Sequence, residues 1–210
     1  MTRLLIVDDH EIVRRGLKQL LTDEFDQIHI GEAGEARQAL EMAHKHTWDI
    51  VLLDINMPGR SGLELLEDLR RLRPGLPVLV LSAFPEADFA LRALKLGASG
   101  YVNKQSASDE LLAAIRKALA GGRYITPALA ETLAASLAGE IADDPHHTLS
   151  NRELQVLRLI ASGNTIKEIA AQLCLSEKTV GTYRTRISEK MRLTTNVELT
   201  RYALQHKLVD

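Results

Sequence analysis

Four short, largely apolar runs, each followed at once by a polar side chain, constrain the fold of this chain most. Runs of this kind are typical of strands buried on both faces of a parallel sheet. Because the carboxyl ends of parallel strands share one edge of the sheet, where α/β proteins bind their ligands, we expect the polar side chains to meet there. The runs cover residues 4–7, 50–53, 78–81 and 100–103, and Asp8, Asp54, Ser82 and Lys104 follow them.

Amphipathic helix patterns separate these runs as far as Gly121, and the isoleucines at 28 and 30 predict one further short strand. A regular alternation of strands and helices is typical of an α/β protein with a doubly wound parallel sheet. We therefore predict a five-stranded sheet over residues 1–121, with the right-handed crossovers that such sheets have.

The predicted edge gathers three carboxylates, from Asp8, Asp9 and Asp54, with the hydroxyl of Ser82 and the ammonium of Lys104. Crowded carboxylates repel one another unless a cation neutralises them, and Mg²⁺ prefers such oxygen ligands and joins them to a phosphate. A carboxylate can also act as a nucleophile and form an acyl phosphate. Mg²⁺ and Lys104 would then stabilise the phosphoryl oxygens, and Ser82 would hydrogen-bond one of them.

Over about the first 120 residues the chain resembles the receiver domain of two-component response regulators. The resemblance rests on Asp8-Asp9, on residues 52–59 around Asp54, on Ser82-Ala83 and on Lys104 after Gly-Tyr-Val-Asn. It implies the strand order 2-1-3-4-5 and a histidine kinase as the partner that phosphorylates Asp54. The other implied roles are Mg²⁺ ligation by Asp9, Asp54 and the backbone carbonyl of Asn56 with support from Asp8, contact with the phosphoryl group by Lys104 and Ser82, and a switch pair of Ser82 and Tyr101.

Residues 122–148 are predicted to form a linker that contains one helix, and residues 149–210 a separate all-α domain of four helices. Pro127 opens the alanine-rich linker helix. In the C-terminal domain the helix starts are marked by capping residues at Ser150, Thr165 and Ser176. The second and third of its helices, joined by a tight turn, are typical of a helix-turn-helix.

The third helix of this domain has the pattern of a recognition helix. Val180, Ile187 and Met191 fall on one stripe at helical spacing and are predicted to be buried. Small polar residues between cations occupy the opposite side, which suits a helix that lies in the major groove with its cations against phosphates. The candidate DNA contacts are Lys178, Thr179, Gly181, Thr182, Arg184, Thr185, Arg186 and Lys190.

Residues 149–157 and 169–180 resemble the LuxR-type helix-turn-helix, and its combination with a receiver is typical of the NarL/FixJ class of response regulators. The resemblance implies double-stranded DNA as a partner and a homodimer when phosphorylated. Gly181 stands where the family often has a basic residue, and Tyr183 where it often has histidine. Base preference therefore cannot be transferred from relatives.

Charge and cysteine content agree with this division. Residues 1–150 carry 16 basic and 22 acidic side chains, a net charge of −6, whereas residues 151–210 carry 10 and 6, a net charge of +4. A basic C-terminal part suits an anionic partner.

The sequence has no secretory signal, and no apolar run approaches the ~18 residues that a membrane span needs. We therefore predict a cytoplasmic protein without a membrane partner. The single cysteine, Cys174, fits a reducing compartment and is expected to be buried.

Two alternatives belong to other classes. An aspartyl-phosphate hydrolase would also use a strand-end Asp as nucleophile, but it usually has a second Asp two residues later, where this chain has Asn56. An interaction module would use the C-terminal helices to bind protein instead of DNA. We predict a phosphorylation-activated transcription regulator that is not an enzyme.

Overall fold

The computed structural model describes residues 1–57, 61–82, 86–137, 145–206 and 208–209. Pro58, Gly59 and Ala83 of the motifs above lie outside the described residues. The elements in chain order are β1 (Thr2–Val7), α1 (Glu11–Glu24), β2 (Ile28–Ala33), α2 (Ala36–Lys45), β3 (Ile50–Asp54), α3 (Gly62–Leu72), β4 (Val78–Ser82), α4 (Glu86–Lys95), β5 (Gly100–Asn103), α5 (Ser108–Leu119), α6 (Pro127–Leu137), a 3-10 turn (Pro145–Thr148), α7 (Asn151–Ala161), α8 (Ile166–Gln172), α9 (Glu177–Met191) and α10 (Asn196–Gln205).

The five strands form one parallel sheet in the order β2-β1-β3-β4-β5, which confirms the predicted fold. Every residue of β3 and β4 is buried, because helices cover both faces of the sheet. Successive strand residues point to opposite faces, so Leu4 and Ile6 of β1 pack with Leu21 of α1 and Ile115 of α5 on one side. This packing fixes the carboxyl edge of β1 and β3, where the site residues lie.

The chain forms two compact units, Met1–Leu137 and Ala138–Asp210. In the first unit the segment after α5 runs along β5, where the backbone N–H of Tyr124 donates to the carbonyl of Ser99 at 2.7 Å. It leads into α6, which packs against α4. The domain limits at residues 121 and 148 stay a prediction.

The second unit is held by capped helices. Ser150, Thr165 and Thr195 form capping boxes at the starts of α7, α8 and α10, and the hydroxyl of Ser176 caps α9. These caps satisfy backbone N–H groups that a helix leaves without an internal partner. The predicted inner stripe of α9, Val180, Ile187 and Met191, is buried. The outer side of the helix is left to face solvent.

The helices in the described part of the chain are too short or too polar to cross a bilayer.

Candidate functional site

The site at the carboxyl edge of the sheet is built from the ends of the strands. Asp54 is the last residue of β3, and Asp8 and Asp9 directly follow β1. Asp8 and Asp54 are each 1% exposed. One ligand atom from each of Asp8, Asp9, His10 and Asp54 lies within 4.8 Å of the others, so this group could hold a metal ion.

Lys104 neutralises part of the negative charge. Its Nζ donates to Oδ2 of Asp8 at 2.6 Å and to Oδ2 of Asp54 at 2.8 Å. The lysine follows β5, and its backbone N–H donates to the carbonyl of Ser82 at 2.7 Å, which ties it to the end of β4. The other oxygen of Asp54, Oδ1, accepts the backbone N–H of Asn56 at 3.0 Å.

The pKa values of this pair reflect burial and mutual attraction. Burial raises the pKa of Asp54 above its ordinary value, against the opposing effects of the Lys104 ammonium and the Asn56 N–H. Burial by itself would lower the pKa of Lys104, but its contacts with Asp54 and Asp8 outweigh this and raise that pKa. Removing either partner would leave an uncompensated buried charge, which is strongly unfavourable.

The start of α3 lies directly against the backbone of Asp54 and Ile55. The hydroxyl of Ser61 caps this helix by accepting the N–H of Leu63 at 3.3 Å. The backbone N–H of Gly62 donates to the carbonyl of Ile55 at 3.2 Å. A Cβ added at Gly62 would overlap the carbonyl oxygen of Asp54. Only glycine therefore allows α3 to begin so close to the site.

The two residues of the predicted switch pair are both buried. Ser82 ends β4 and is fully buried. Tyr101 lies on β5 and is 1% exposed. In the sheet, the residue before Ser82 pairs with Asp54, so the Ser82 hydroxyl lies one strand away from the central carboxylate.

In the second unit, α8 and α9 form the predicted helix-turn-helix. Lys178, Thr182, Thr185 and Arg186 are exposed on α9. The hydroxyl of Thr182 donates to the carbonyl of Lys178 at 3.0 Å, and that of Thr185 donates to the carbonyl of Gly181 at 3.1 Å. Both hydroxyl protons are thus used within the helix, while the hydroxyl oxygens can still accept.

The other two cations of α9 already have partners within the chain. Arg184 donates to Oδ1 of Asn196 at 2.8 Å and to the carbonyl of Thr194 at 3.2 Å. Lys190 donates to Oε2 of Glu153 at 2.6 Å, and the side chain of Glu153 is only 4% exposed. These two residues hold α9 against its neighbours, a role that the sequence did not predict.

Comparison with known families identifies both parts of the chain. Residues 4–116 match the family described as response regulator receiver domain. Residues 147–203 match the family described as bacterial regulatory proteins, luxR family. The chain belongs to the response regulators. The combination confirms the predicted class, in which a receiver controls a LuxR-type DNA-binding domain, and it is a class of transcription regulators, not of enzymes.

Relatives of this response regulator share its full length. The response regulator GacA of Pseudomonas aeruginosa is 40% identical, with 100% of this chain and 99% of the relative covered. The response regulator UvrY of Escherichia coli is 36% identical, with 100% and 97% covered. Among solved structures, RcsB from Salmonella enterica serovar Typhimurium, bound to the promoter rprA with phosphomimetic BeF3-, matches with a TM-score of 0.63 and 26% identity over 96% of this chain and 98% of that chain.

In this response regulator the structure brings Asp8, Asp9, Asp54 and Lys104 together as the sequence predicted. One expectation about burial was wrong. Cys174 is exposed, because it lies in the turn between α8 and α9 with φ at 50°, outside the apolar face of either helix. His10 was missed as a member of the site, although its position directly after two aspartates could have indicated it.

Proposed function

We propose that Asp54 is the single phosphoacceptor of this response regulator and that its phosphorylation controls DNA binding by residues 149–210. The observation that carries the proposal is the Lys104 ammonium, which bridges Asp54 and Asp8 at the carboxyl edge of the sheet at 2.8 and 2.6 Å. A buried carboxylate beside a fixed cation suits attack on a phosphoryl group, whose negative oxygens need positive charge.

In the proposed reaction the carboxylate of Asp54 attacks phosphorus. An oxygen–phosphorus bond forms, and the bond from phosphorus to the donor's leaving group breaks. Burial supports this role, because it raises the pKa of Asp54 and a more basic carboxylate is a stronger nucleophile. Lys104 would pair with the new phosphoryl oxygens, and Ser82 would donate a hydrogen bond to one of them. Tyr101 would move together with Ser82, and this movement would change the receiver surface near Tyr101.

We also propose Mg²⁺ as the cofactor. The side chains of Asp9 and Asp54 and the backbone carbonyl of Asn56 would hold it, with Asp8 in support, and the oxygen-rich donor set fits a hard dication. When bound, Mg²⁺ withdraws negative charge from the phosphoryl oxygens.

Incubation with acetyl phosphate and Mg²⁺, followed by intact mass measurement, tests the phosphoacceptor. The parent is expected to gain one phosphate and Asp54→Asn none. Lys104→Ala is expected to bind Mg²⁺ but to respond poorly to phosphorylation in dimerisation and DNA binding. Phosphate mapped to Asp8 or Asp9 would refute the assignment of Asp54. A Lys104→Ala variant that responds as the parent does would refute the role of the lysine.

We propose that a histidine kinase supplies the phosphoryl group in the cytoplasm. We also propose that the phosphorylated chain binds duplex DNA as a homodimer. One recognition helix spans few base pairs, so two copies on half-sites about one helical turn apart are needed. Val197 and Leu204 are 77% and 50% exposed and give α10 an apolar face that a second copy can cover. Sedimentation with and without acetyl phosphate tests the dimer, and an unchanged monomer would contradict it.

For base readout we propose that Thr182 and Thr185 act as acceptors, because their hydroxyl protons are bonded to helix carbonyls. The amino groups of adenine and cytosine are the matching donors in the major groove. Thr179 and Gly181 complete the face, with Lys178, Arg184, Arg186 and Lys190 around it. Selection from a randomised duplex library tests this face. Site rankings that do not change in Thr182→Ala or Thr185→Ala would count against it.

A further inference from the structure

We propose that Tyr124 transmits the phosphorylation state of the receiver to the linker helix α6, as a positioning residue that fixes the start of the linker to strand β5. The transmission rests on the phosphorylation control proposed above. It names the contact through which a movement of Tyr101 on β5 reaches the chain that leads to the DNA-binding unit.

The backbone of Tyr124 is bonded to the amino end of β5. Its N–H donates to the carbonyl of Ser99 at 2.7 Å, and Tyr124 forms a parallel bridge with Gly100. Gly100 permits this approach, because an added Cβ would lie 2.8 Å from the carbonyl oxygen of Tyr124 and 2.9 Å from its Cβ. Since Gly100 directly precedes Tyr101, a shift of the proposed switch residue displaces the backbone to which Tyr124 is bonded.

The side chain of Tyr124 ties the same residue to α5. Its hydroxyl donates to Oε1 of Glu110 at 3.2 Å. Its ring packs against the core that α5 shares with the sheet. Tyr124 is therefore held from two sides, and a displacement of β5 moves the residue as a whole instead of only rotating its side chain.

The chain passes from Tyr124 into α6 within two residues. Thr126 begins this helix, because its Oγ1 accepts the N–H of Leu129 at 3.2 Å and its carbonyl accepts the N–H of Ala130 at 2.9 Å. Leu129 is 2% exposed. The helix packs against α4, and α4 in turn packs against β5. A movement of Tyr124 therefore acts on the first turn of α6, which its contact with α4 holds beside the switch strand.

A purely structural role of Tyr124 has other consequences. If the residue only stapled α5 to the sheet, loss of its hydroxyl would lower stability and leave the effect of phosphorylation on DNA binding unchanged. Transmission is a coupling between two sites, and a residue that carries it changes the affinity ratio by about two- to thirtyfold. The ratio of DNA affinities with and without phosphorylation thus separates the two roles.

The experiment measures the DNA affinity of the full chain before and after incubation with acetyl phosphate and Mg²⁺, on a duplex that the phosphorylated parent selects from a randomised library. Tyr124→Phe removes the hydroxyl and keeps the ring, and Glu110→Ala removes the acceptor. Both variants should gain phosphate at the parent's rate, because Tyr124 lies at the end of β5 opposite to Lys104. The affinity ratio should fall about two- to thirtyfold in each variant and no further in the double variant.

Two controls isolate the hydrogen bond between Tyr124 and Glu110. Glu110→Gln keeps an acceptor oxygen and should retain the parent's affinity ratio. Arg116→Ala removes a different side-chain contact of α5, its ion pair of 3.0 Å with Glu24 of α1. This variant should retain the ratio as well, because the contact does not involve the linker.

Each opposite result overturns the transmission in a distinct way. DNA affinity that phosphorylation leaves unchanged in the parent would refute the proposed function, and the transmission with it. A responsive parent together with an unchanged ratio in Tyr124→Phe would refute the transmission alone. Slower phosphorylation of Tyr124→Phe would place its effect at the phosphoacceptor site. An equal loss in Arg116→Ala would assign the effect to general loosening of α5, and a loss in Glu110→Gln would exclude the hydrogen bond as its carrier.

Discussion

Two glycines show how differently one added methyl group acts on this chain. At Gly62 the new Cβ would overlap the backbone oxygen of Asp54, and backbone cannot move aside as a flexible side chain can. At Gly181 in α9, among the described residues and apart from the helix's own backbone, no heavy atom lies within 4 Å of the new Cβ. The same substitution is thus expected to have opposite effects on the free energy of unfolding.

Gly62→Ala should lower the free energy of unfolding by about 1–3 kcal/mol, as overpacking does. It should also slow phosphorylation by acetyl phosphate, because α3 would push Asp54 away from Lys104. Urea unfolding and the rate of mass gain measure the two effects. A variant as stable and as reactive as the parent would show that α3 does not position the carboxylate.

Gly181→Ala should raise the free energy of unfolding by up to about 1 kcal/mol, because alanine stabilises a helix interior relative to glycine. The phosphorylation rate should stay unchanged, since the change lies in the second unit. Urea unfolding of the full chain, in parallel with Gly62→Ala, checks the sign. A loss of stability would mean that α9 needs the flexibility of glycine.

The sequence predicted site residues that end strands and missed those that support them. Asp54 and Lys104 were predictable because buried strands in register bring their ends together. Gly62 was not, because the close approach of α3 depends on the path of the loop after Asp54. The exposure of Cys174 was missed because its left-handed backbone carries it off the apolar faces of both helices.

At the scale of elements, the cations of α9 fall into two groups that the sequence could not separate. Lys178 and Arg186 are exposed, and neither has an ion-pair partner in the described part of the chain. Arg184 is bonded to Asn196 at the start of α10 and to Thr194 in the loop before it, and Lys190 is bonded to Glu153 of α7. Helical spacing gives the direction of a side chain, but it does not show which neighbouring helix lies within reach.

Lys178→Ala should weaken binding to all DNA sequences alike and lower the salt slope by about 1, with stability within about 0.5 kcal/mol of the parent. Arg184→Ala should in addition lower the free energy of unfolding by about 1 kcal/mol, because its hydrogen bonds to Asn196 at the start of α10 and to the carbonyl of Thr194 are lost. DNA titrations at two salt concentrations and thermal melts separate the two effects. Equal stability of the two variants would contradict the anchoring role of Arg184.

Strand boundaries, too, could be predicted only in part from the sequence. The predicted strand at 28–30 extends in the structure to Ala33, because Gly31 and Glu32 pair with β1 although they are not apolar. β2 is an edge strand, and its pairing with β1 sets its length. Its own apolar pattern therefore predicts a strand shorter than the observed one. The central strands β3 and β4 are buried throughout, so their apolar runs marked their positions well.

At the scale of the whole molecule, acid should act on the second unit through its capping carboxylates. Hydrogen bonds from the backbone N–H groups and hydroxyls of Thr195 and Thr194 lower the pKa of Glu198 from 4.5 to about 2. The backbone and hydroxyl of Thr165 likewise lower the pKa of Glu168. A lowered folded-state pKa means that the stabilisation is present above pH 4.5 and is lost as pH falls through the folded pKa.

Glu198→Gln tests this pH dependence, because Gln also fits a capping box but does not titrate. The variant should melt at a lower temperature than the parent at pH 7. The difference should shrink as pH falls below 4.5 and disappear only below about pH 2, where the carboxylate of the folded parent becomes protonated. Thermal melts of the full chain across this range measure it. A difference that does not depend on pH would exclude the ionised carboxylate as its source.

The exposed turn between α8 and α9 makes this chain ready for chemical labelling. Cys174 is the only cysteine in the sequence, and its thiol is exposed just before the recognition helix. A maleimide dye or nitroxide would therefore attach at one position without any substitution. Such a reporter would sense DNA approaching α9 in the otherwise native protein, and its signal could be followed while acetyl phosphate acts on Asp54.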